Sequence, residues 1–273
     1  MDVVAMKTPN HDILSRFNRF IDGRRSFFWV YTVVFILVFF LACMPLWLNG
    51  KSLIREVDGL SMLYTNFVWI GRWIREVFSN IFITHTFEIP MWTTDLGYGS
   101  DILSVLGSGI INPFYWISAC IPERFAEYAF QFVIVLRAWL AGLAFAAYAR
   151  YHGNGRFLTF IGALAYVFAG STVIIFSQPG FIETMILFPL FLLSADRIFD
   201  GKNPLPFIGM CAFIFASSYY TGYMMCLFLL GYCLLRYFVV EKRRSLKELG
   251  KLFLKFLGYL VVGVVVAAIF FLP

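Results

Sequence analysis

Apolar residues fill this chain in long blocks separated by short polar breaks. The first block, Phe27–Leu48, has 22 residues. As a helix it would be about 33 Å long, enough to cross a bilayer. Tyr128–Ala149 is a second block of the same kind, and Phe157–Phe176 and Phe181–Ala195 form a pair joined by Ser177-Gln178-Pro179-Gly180. Leu205–Val240 follows, and a last apolar run begins near Phe256. The blocks are continuous rather than alternating, so they predict helices and exclude a β-barrel.

Basic residues collect at the ends of these blocks: Arg16, Arg19, Arg24 and Arg25; Arg150 and Arg156; Arg197 and Lys202; and Lys242 to Lys255. The positive-inside rule puts each cluster, and the N-terminus, in the cytoplasm. Two cytoplasmic clusters must be separated by an even number of crossings. Leu205–Val240 therefore holds two helices of about 16 residues, a few short of a usual span. Their break falls at Ser217-Ser218-Tyr219-Tyr220-Thr221-Gly222-Tyr223. Irregular polar backbone at that depth is tolerated only where it lines protein or a watery cavity.

The expected fold is all-α: a polytopic α-helical membrane protein of about seven spans with a long structured first outer loop. Residues 1–26 form the cytoplasmic N-terminus, 27–48 the first span, 49–127 the outer loop, and 128–273 a membrane domain of about six further spans. The chain stops at Phe271-Leu272-Pro273, directly on an apolar run, so a longer protein is expected.

Within the outer loop, Leu63, Phe67, Ile70, Ile74, Val77 and Ile81 recur at three- and four-residue steps, with Arg72, Arg75 and Glu76 off that stripe. This predicts an amphipathic helix lying along the membrane interface, or packed against a part of the protein outside this sequence. Residues 87–101 are rich in turn formers. Residues 102–121 are apolar but interrupted by Gly107, Gly109, Asn112 and Pro113, which suits a re-entrant or interfacial helix pair.

Composition agrees with this frame. At 60% hydrophobic and 14% charged, with mean hydropathy +0.78, the chain lies far from soluble proteins, in which charged residues make up about a quarter. The net charge of +6 sits in the flanking clusters, so it sets orientation, attracts anionic lipid and implies no nucleic-acid partner. Five cysteines without CxxC spacing argue against a disulfide framework or zinc site. The first block lacks a small-residue cleavage site and reads as a retained span.

Several charges could carry chemistry. Glu56-x-Asp58 stands just beyond the first span. Such a pair can deprotonate an acceptor hydroxyl or hold a divalent cation, Mg or Mn, against a phosphate leaving group; Asp58 alone could instead N-cap the helix at Gly59. Asp95 and Asp101 bracket a Gly-rich turn that could approach an ion or sugar, or simply cap the next helix. Arg137 lies in the middle of the second block, where a charge costs ~2.5–3.5 kcal/mol and marks function. It would bind a lipid phosphate, or pair with Glu183. Tyr219, Tyr220 and Tyr223 could stack on a sugar or belong to an interfacial belt. No phosphate loop, nucleophile elbow or metalloprotease motif is present.

A resemblance adds to this. Asp58-Gly59-Leu60 opens the amphipathic helix. Pro90-Met-Trp-Thr-Thr-Asp-Leu-Gly-Tyr-Gly-Ser-Asp101 and Asn112-Pro113-Phe114 come next. Gln178-Pro179-Gly180-Phe181, Pro189-Leu190, Asp196-Arg197 and Tyr219-Tyr220-Thr221-Gly222-Tyr223-Met224 follow in order. Together they resemble the N-terminal part of YfhO-type bacterial membrane proteins, which are similar in plan to GT-C glycosyltransferases. The resemblance implies a polyprenyl-phosphate sugar donor and a cell-envelope glycopolymer acceptor such as teichoic acid. It makes Asp58 the catalytic first-loop acid with Glu56 beside it, and Glu183 stands where an uncharged residue would be expected. A lipid or solute transporter, or a non-catalytic assembly subunit, are the competing function classes.

Overall fold

The computed structural model describes residues 23–56, 58–95, 98–102, 109–176, 178–242 and 245–271. Helix α1 spans Arg24–Leu48. A π-helical turn, Gly59–Tyr64, leads into α2, Thr65–Phe82. Two-residue strands β1 (Trp92–Thr93) and β2 (Ser100–Asp101) pair antiparallel, and α3 is Pro113–Cys120. The membrane domain continues with α4 (Ala126–Tyr151), α5 (Arg156–Val167), the short α6 (Gly170–Ile174), α7 (Pro179–Phe199), α8 (Leu205–Ser217), α9 (Tyr219–Leu235) and α10 (Leu246–Phe271).

Among the described residues, four helical stretches are long and apolar enough to cross a membrane: Arg24–Leu48, Glu123–Tyr151, Tyr219–Val240 and Leu246–Ala268. Arg156–Val167 and Leu205–Ser217 are shorter apolar helices. The protein is an all-α polytopic membrane protein.

The centre of the bundle is α4. Its Ala138, Ala141 and Gly142 are small enough to admit a neighbouring backbone, the usual device where no water drives helices together. A Cβ on Gly142 would collide with Tyr31 Oη. Tyr31 fills that space and donates to the Trp139 carbonyl at 3.0 Å. Phe35 and Phe39 continue the buried row along α1, reaching Phe168 and Phe176. Contacts at 31 with 139 and at 53 with 131 make α1 and α4 antiparallel. Helix α7 runs parallel to α4, since Arg137 meets Glu183 and His152 meets Asp196.

Several expected boundaries shift. The block Phe157–Phe176 is interrupted, with α5 ending at Val167 and α6 restarting at Gly170. Ala169 is extended there, and Thr172 Oγ1 bridges the break to the Tyr166 carbonyl at 2.9 Å. Helix α10 starts ten residues before Phe256, so Lys247, Lys251 and Lys255 belong to it. The break in Leu205–Val240 narrows to Ser218 alone, extended at φ −166° and accepting from Thr221 N to cap α9.

The amphipathic stripe of α2 is covered within the chain. Phe67, Ile70 and Ile74 are buried against α3 and α4. Gly71 permits the approach, as a Cβ there would collide with Ser118. Arg72 and Arg75, off the stripe, both bind Glu123, at 2.7 and 3.0 Å. Arg75 also donates to the Ser118 and Ile121 carbonyls that end α3. The loop is thus a folded unit seated on one end of the bundle, the loop end.

Candidate functional site

Below the loop, α3, α4, α7 and the α8–α9 break enclose a cavity of about 130 Å³. Arg137 and Glu183 lie on its wall, 1% and 5% exposed. Their charges are 3.6 Å apart. Asn112 holds the acid from the other side: its Nδ2 donates to Glu183 Oε2 at 2.5 Å while its Oδ1 accepts from Phe114 N and caps α3. Pro113 at the first position of α3 fits the same start signal. The guanidinium stacks on Phe114, 4.5 Å from the ring centre.

Arg137 Nε, Glu183 Oε1 and Ser217 Oγ have no hydrogen-bond partner among the described residues. Buried polar groups are rarely left so, because each orphan costs about 1–3 kcal/mol. Ser217, Ser218 and Thr221 line the same cavity, so the polar break expected to face protein or a watery cavity does so. The pair carries no net charge. Its open donor and acceptors suit a hydroxyl-bearing ligand, whereas a phosphate would have to compete with the Glu183 carboxylate for Arg137.

The acids nearest the first span sit elsewhere. Glu56 and Asp58 are both exposed. Asp58 has helical backbone angles and its side chain makes no capping bond, so the capping alternative falls: a residue already in helical conformation cannot direct its carboxylate to the next free amides. Glu56 lines a separate cavity of about 210 Å³ with Ser52, Tyr64 and Glu127. Burial and the Glu127 carboxylate raise the Tyr64 phenol above its ordinary pKa. Among the described residues no three His, Cys, Asp or Glu side chains gather into a metal site. Two exposed carboxylates, Glu56 and Asp58, do not by themselves define a cation's shell.

Asp95 accepts from Trp69 Nε1 at 3.1 Å. Asp101 lies in β2, opposite Trp92, and the helical residue Ile102 follows it directly, so its extended backbone stands where a helix cap would. Leu96 and Gly97 of the turn between them lie outside the described residues. Tyr219, Tyr220 and Tyr223 are exposed and none of them lines the Arg137 cavity; Tyr223 borders an apolar groove between α9 and α10. Asn112 and Glu127 were not among the site residues expected from the sequence. The Asn-Pro pair was a usable signal for the first, and nothing local marks the second.

A second polar cluster lies at the opposite end. Asp196, fully buried, accepts from Arg236 Nη1 at 2.5 Å and from Tyr232 at 2.8 Å, and lies 2.8 Å from His152 Nε2. Asp200 binds Arg236 and Tyr151. These bonds tie the ends of α4, α7 and α9 together.

A family model described as Bacterial membrane protein YfhO matches residues 29–273. The chain belongs to that family, as the order of its motifs led us to expect. No curated protein and no solved structure matches it.

Proposed function

We propose that this member of the YfhO family is a GT-C-like membrane glycosyltransferase, moving a sugar from a polyprenyl-phosphate donor to a cell-envelope glycopolymer at the outer face. The observation that carries the reading is the buried Arg137–Glu183 pair with open hydrogen-bonding atoms on a cavity roofed by the first loop. A neutral polar cavity of that kind suits a sugar's hydroxyl groups, and the acids Glu56 and Asp58 belong to the same loop that contributes Asn112 and Tyr115 to its wall. Asp58 acts as the base that takes the acceptor's proton, with Glu56 beside it; both are solvent-accessible, as a base meeting a polymeric acceptor must be. Asp95, Asp101, Tyr220 and Tyr223 remain candidates for contacts to donor or acceptor outside the cavity. An outer-face reaction fits lipid-linked donors, because nucleotide sugars are confined to the cytoplasm.

The test uses the full-length protein in membranes supplied with a polyprenyl-phosphate sugar, scoring transfer for wild type and Asp58→Asn. General-base catalysis contributes about 10²–10⁴-fold, so a loss of at least that lower size is expected. Transfer by Asp58→Asn at the wild-type rate would reject the assignment. Solute flux in liposomes that depends on Arg137, with no sugar transfer, would favour a transporter, for which polar breaks inside membrane helices are typical.

A further inference from the structure

A cavity of about 760 Å³ lies between the loop end of α1 and the segment around α6. Its floor is apolar: Ala42, Cys43 and Leu46 from α1, with Val173 and Phe176 opposite. Its rim is the strap that leaves α1, carrying Lys51, Arg55 and Glu56. The strap is fixed in place, because Leu53 N donates to Gln131 of α4 at 3.2 Å and Ile54 N to Ser52 Oγ. Lys51 and Arg55 are exposed and make no salt bridge to any described residue. Counting Glu56 against them, the rim carries two positive charges and one negative, net +1.

An apolar slot between membrane helices with cations at its mouth matches an amphiphile with an anionic head. Guanidinium and ammonium groups bind phosphate through charge-assisted hydrogen bonds. The apolar floor comes from both walls, α1 and the α6 segment, which suits a hydrocarbon chain laid between them. Arg137, by contrast, already faces a carboxylate at 3.6 Å.

We infer that this slot seats the lipid-linked donor, with its phosphate on Lys51 and Arg55 and its isoprenoid chain along Ala42, Leu46, Val173 and Phe176. The identity of the head group rests on the glycosyltransferase reading above; the slot's preference for a lipid phosphate does not. The phosphate then lies on the same strap as Glu56, close along the chain to Asp58. The Arg137 cavity is left for uncharged hydroxyl groups.

The experiment is photocrosslinking of the full-length protein in nanodiscs with a photoreactive polyprenyl phosphate. The Lys51→Gln/Arg55→Gln double variant should lose labelling at least about tenfold, the worth of one charge-assisted hydrogen bond. Val173→Trp, which fills the slot from an exposed position without touching the charges, should lose it as well. Asp58→Asn should label like wild type. Wild-type labelling in both slot variants would overturn the proposal. Displacement of the probe by excess phosphatidylglycerol would also overturn it, in favour of a general phospholipid groove, and displacement by inorganic phosphate would overturn the role of the chain. Should Asp58→Asn transfer sugar normally while the slot variants lose labelling, the catalytic reading fails and the lipid-phosphate slot stands.

Discussion

Helix α7 carries two buried acids, Glu183 and Asp196, each facing a cation inside the bundle, and the two are built differently. Asp196 has every oxygen engaged, with Arg236 at 2.5 Å, Tyr232 at 2.8 and 2.9 Å and His152 at 2.8 Å. Arg236 in turn reaches Asp200 at 2.9 Å and stacks on Phe199. Glu183 meets Arg137 only at 3.6 Å and leaves one oxygen open, as Arg137 leaves its Nε. The first cluster is closed and ties three helix ends. The second is left incomplete around a cavity. A charge pair satisfied by its own neighbours has nothing to offer a ligand, whereas a buried pair left open keeps a donor and an acceptor for one.

The comparison can be broken, most severely at Asp196. Asp196→Ala removes the buried carboxylate that Arg236, Tyr232 and His152 share, leaving Arg236 with Asp200, and breaking a buried pair costs about 3–5 kcal/mol. Thermal unfolding in detergent should show that variant as the least stable of the single substitutions at either cluster. Stability close to wild type would mean the closed cluster does not hold the bundle. Arg137→Leu should also destabilise, since it leaves Glu183 buried and unpaired. The double change Arg137→Leu/Glu183→Leu should recover most of that loss, because apolar replacement of a buried pair is often neutral or better. It should nonetheless abolish sugar transfer. A double variant that folds and transfers normally would remove the functional meaning of the open pair.

Two smaller effects sharpen the contrast. Gly142→Ala places a methyl against Tyr31, and such overpacking costs about 1–3 kcal/mol; unfolding midpoints should drop without any change in lipid labelling. His152→Gln removes one of several partners of Asp196 and should cost about 1 kcal/mol, an ordinary hydrogen bond. Asp58→Asn, at an exposed position, should leave the midpoint unmoved while transfer is lost.

Much of the frame was legible because membrane helices declare themselves locally. The runs around Val34, Ala138 and Val261 need no knowledge of their neighbours to be assigned, since backbone in lipid must close its hydrogen bonds within the segment. The polar break at Ser217–Ser218 was legible for the same reason, from the impossibility of leaving it in hydrocarbon. Arg137 was conspicuous by its cost. Its partner was only one of two readings until α7 placed Glu183 beside it, running parallel to α4.

The remainder depended on chain segments far apart. The α2 stripe looked ready for a lipid surface and is instead covered by α3, well along the chain, through the close approach at Gly71. Asp58 had the sequence of a cap, but its backbone joins the helix one residue early. Lys51 and Arg55 were ordinary loop charges until Phe176 and Val173 closed the other side of their slot. Composition and hydrophobic period determined a helical membrane protein, its helix positions and the costly charges within it, because those follow from the solvent each segment must satisfy alone. Which charges are closed off and which stay open for a ligand was decided only by packing, because satisfaction of a buried polar group depends on what the fold brings within about three ångströms of it.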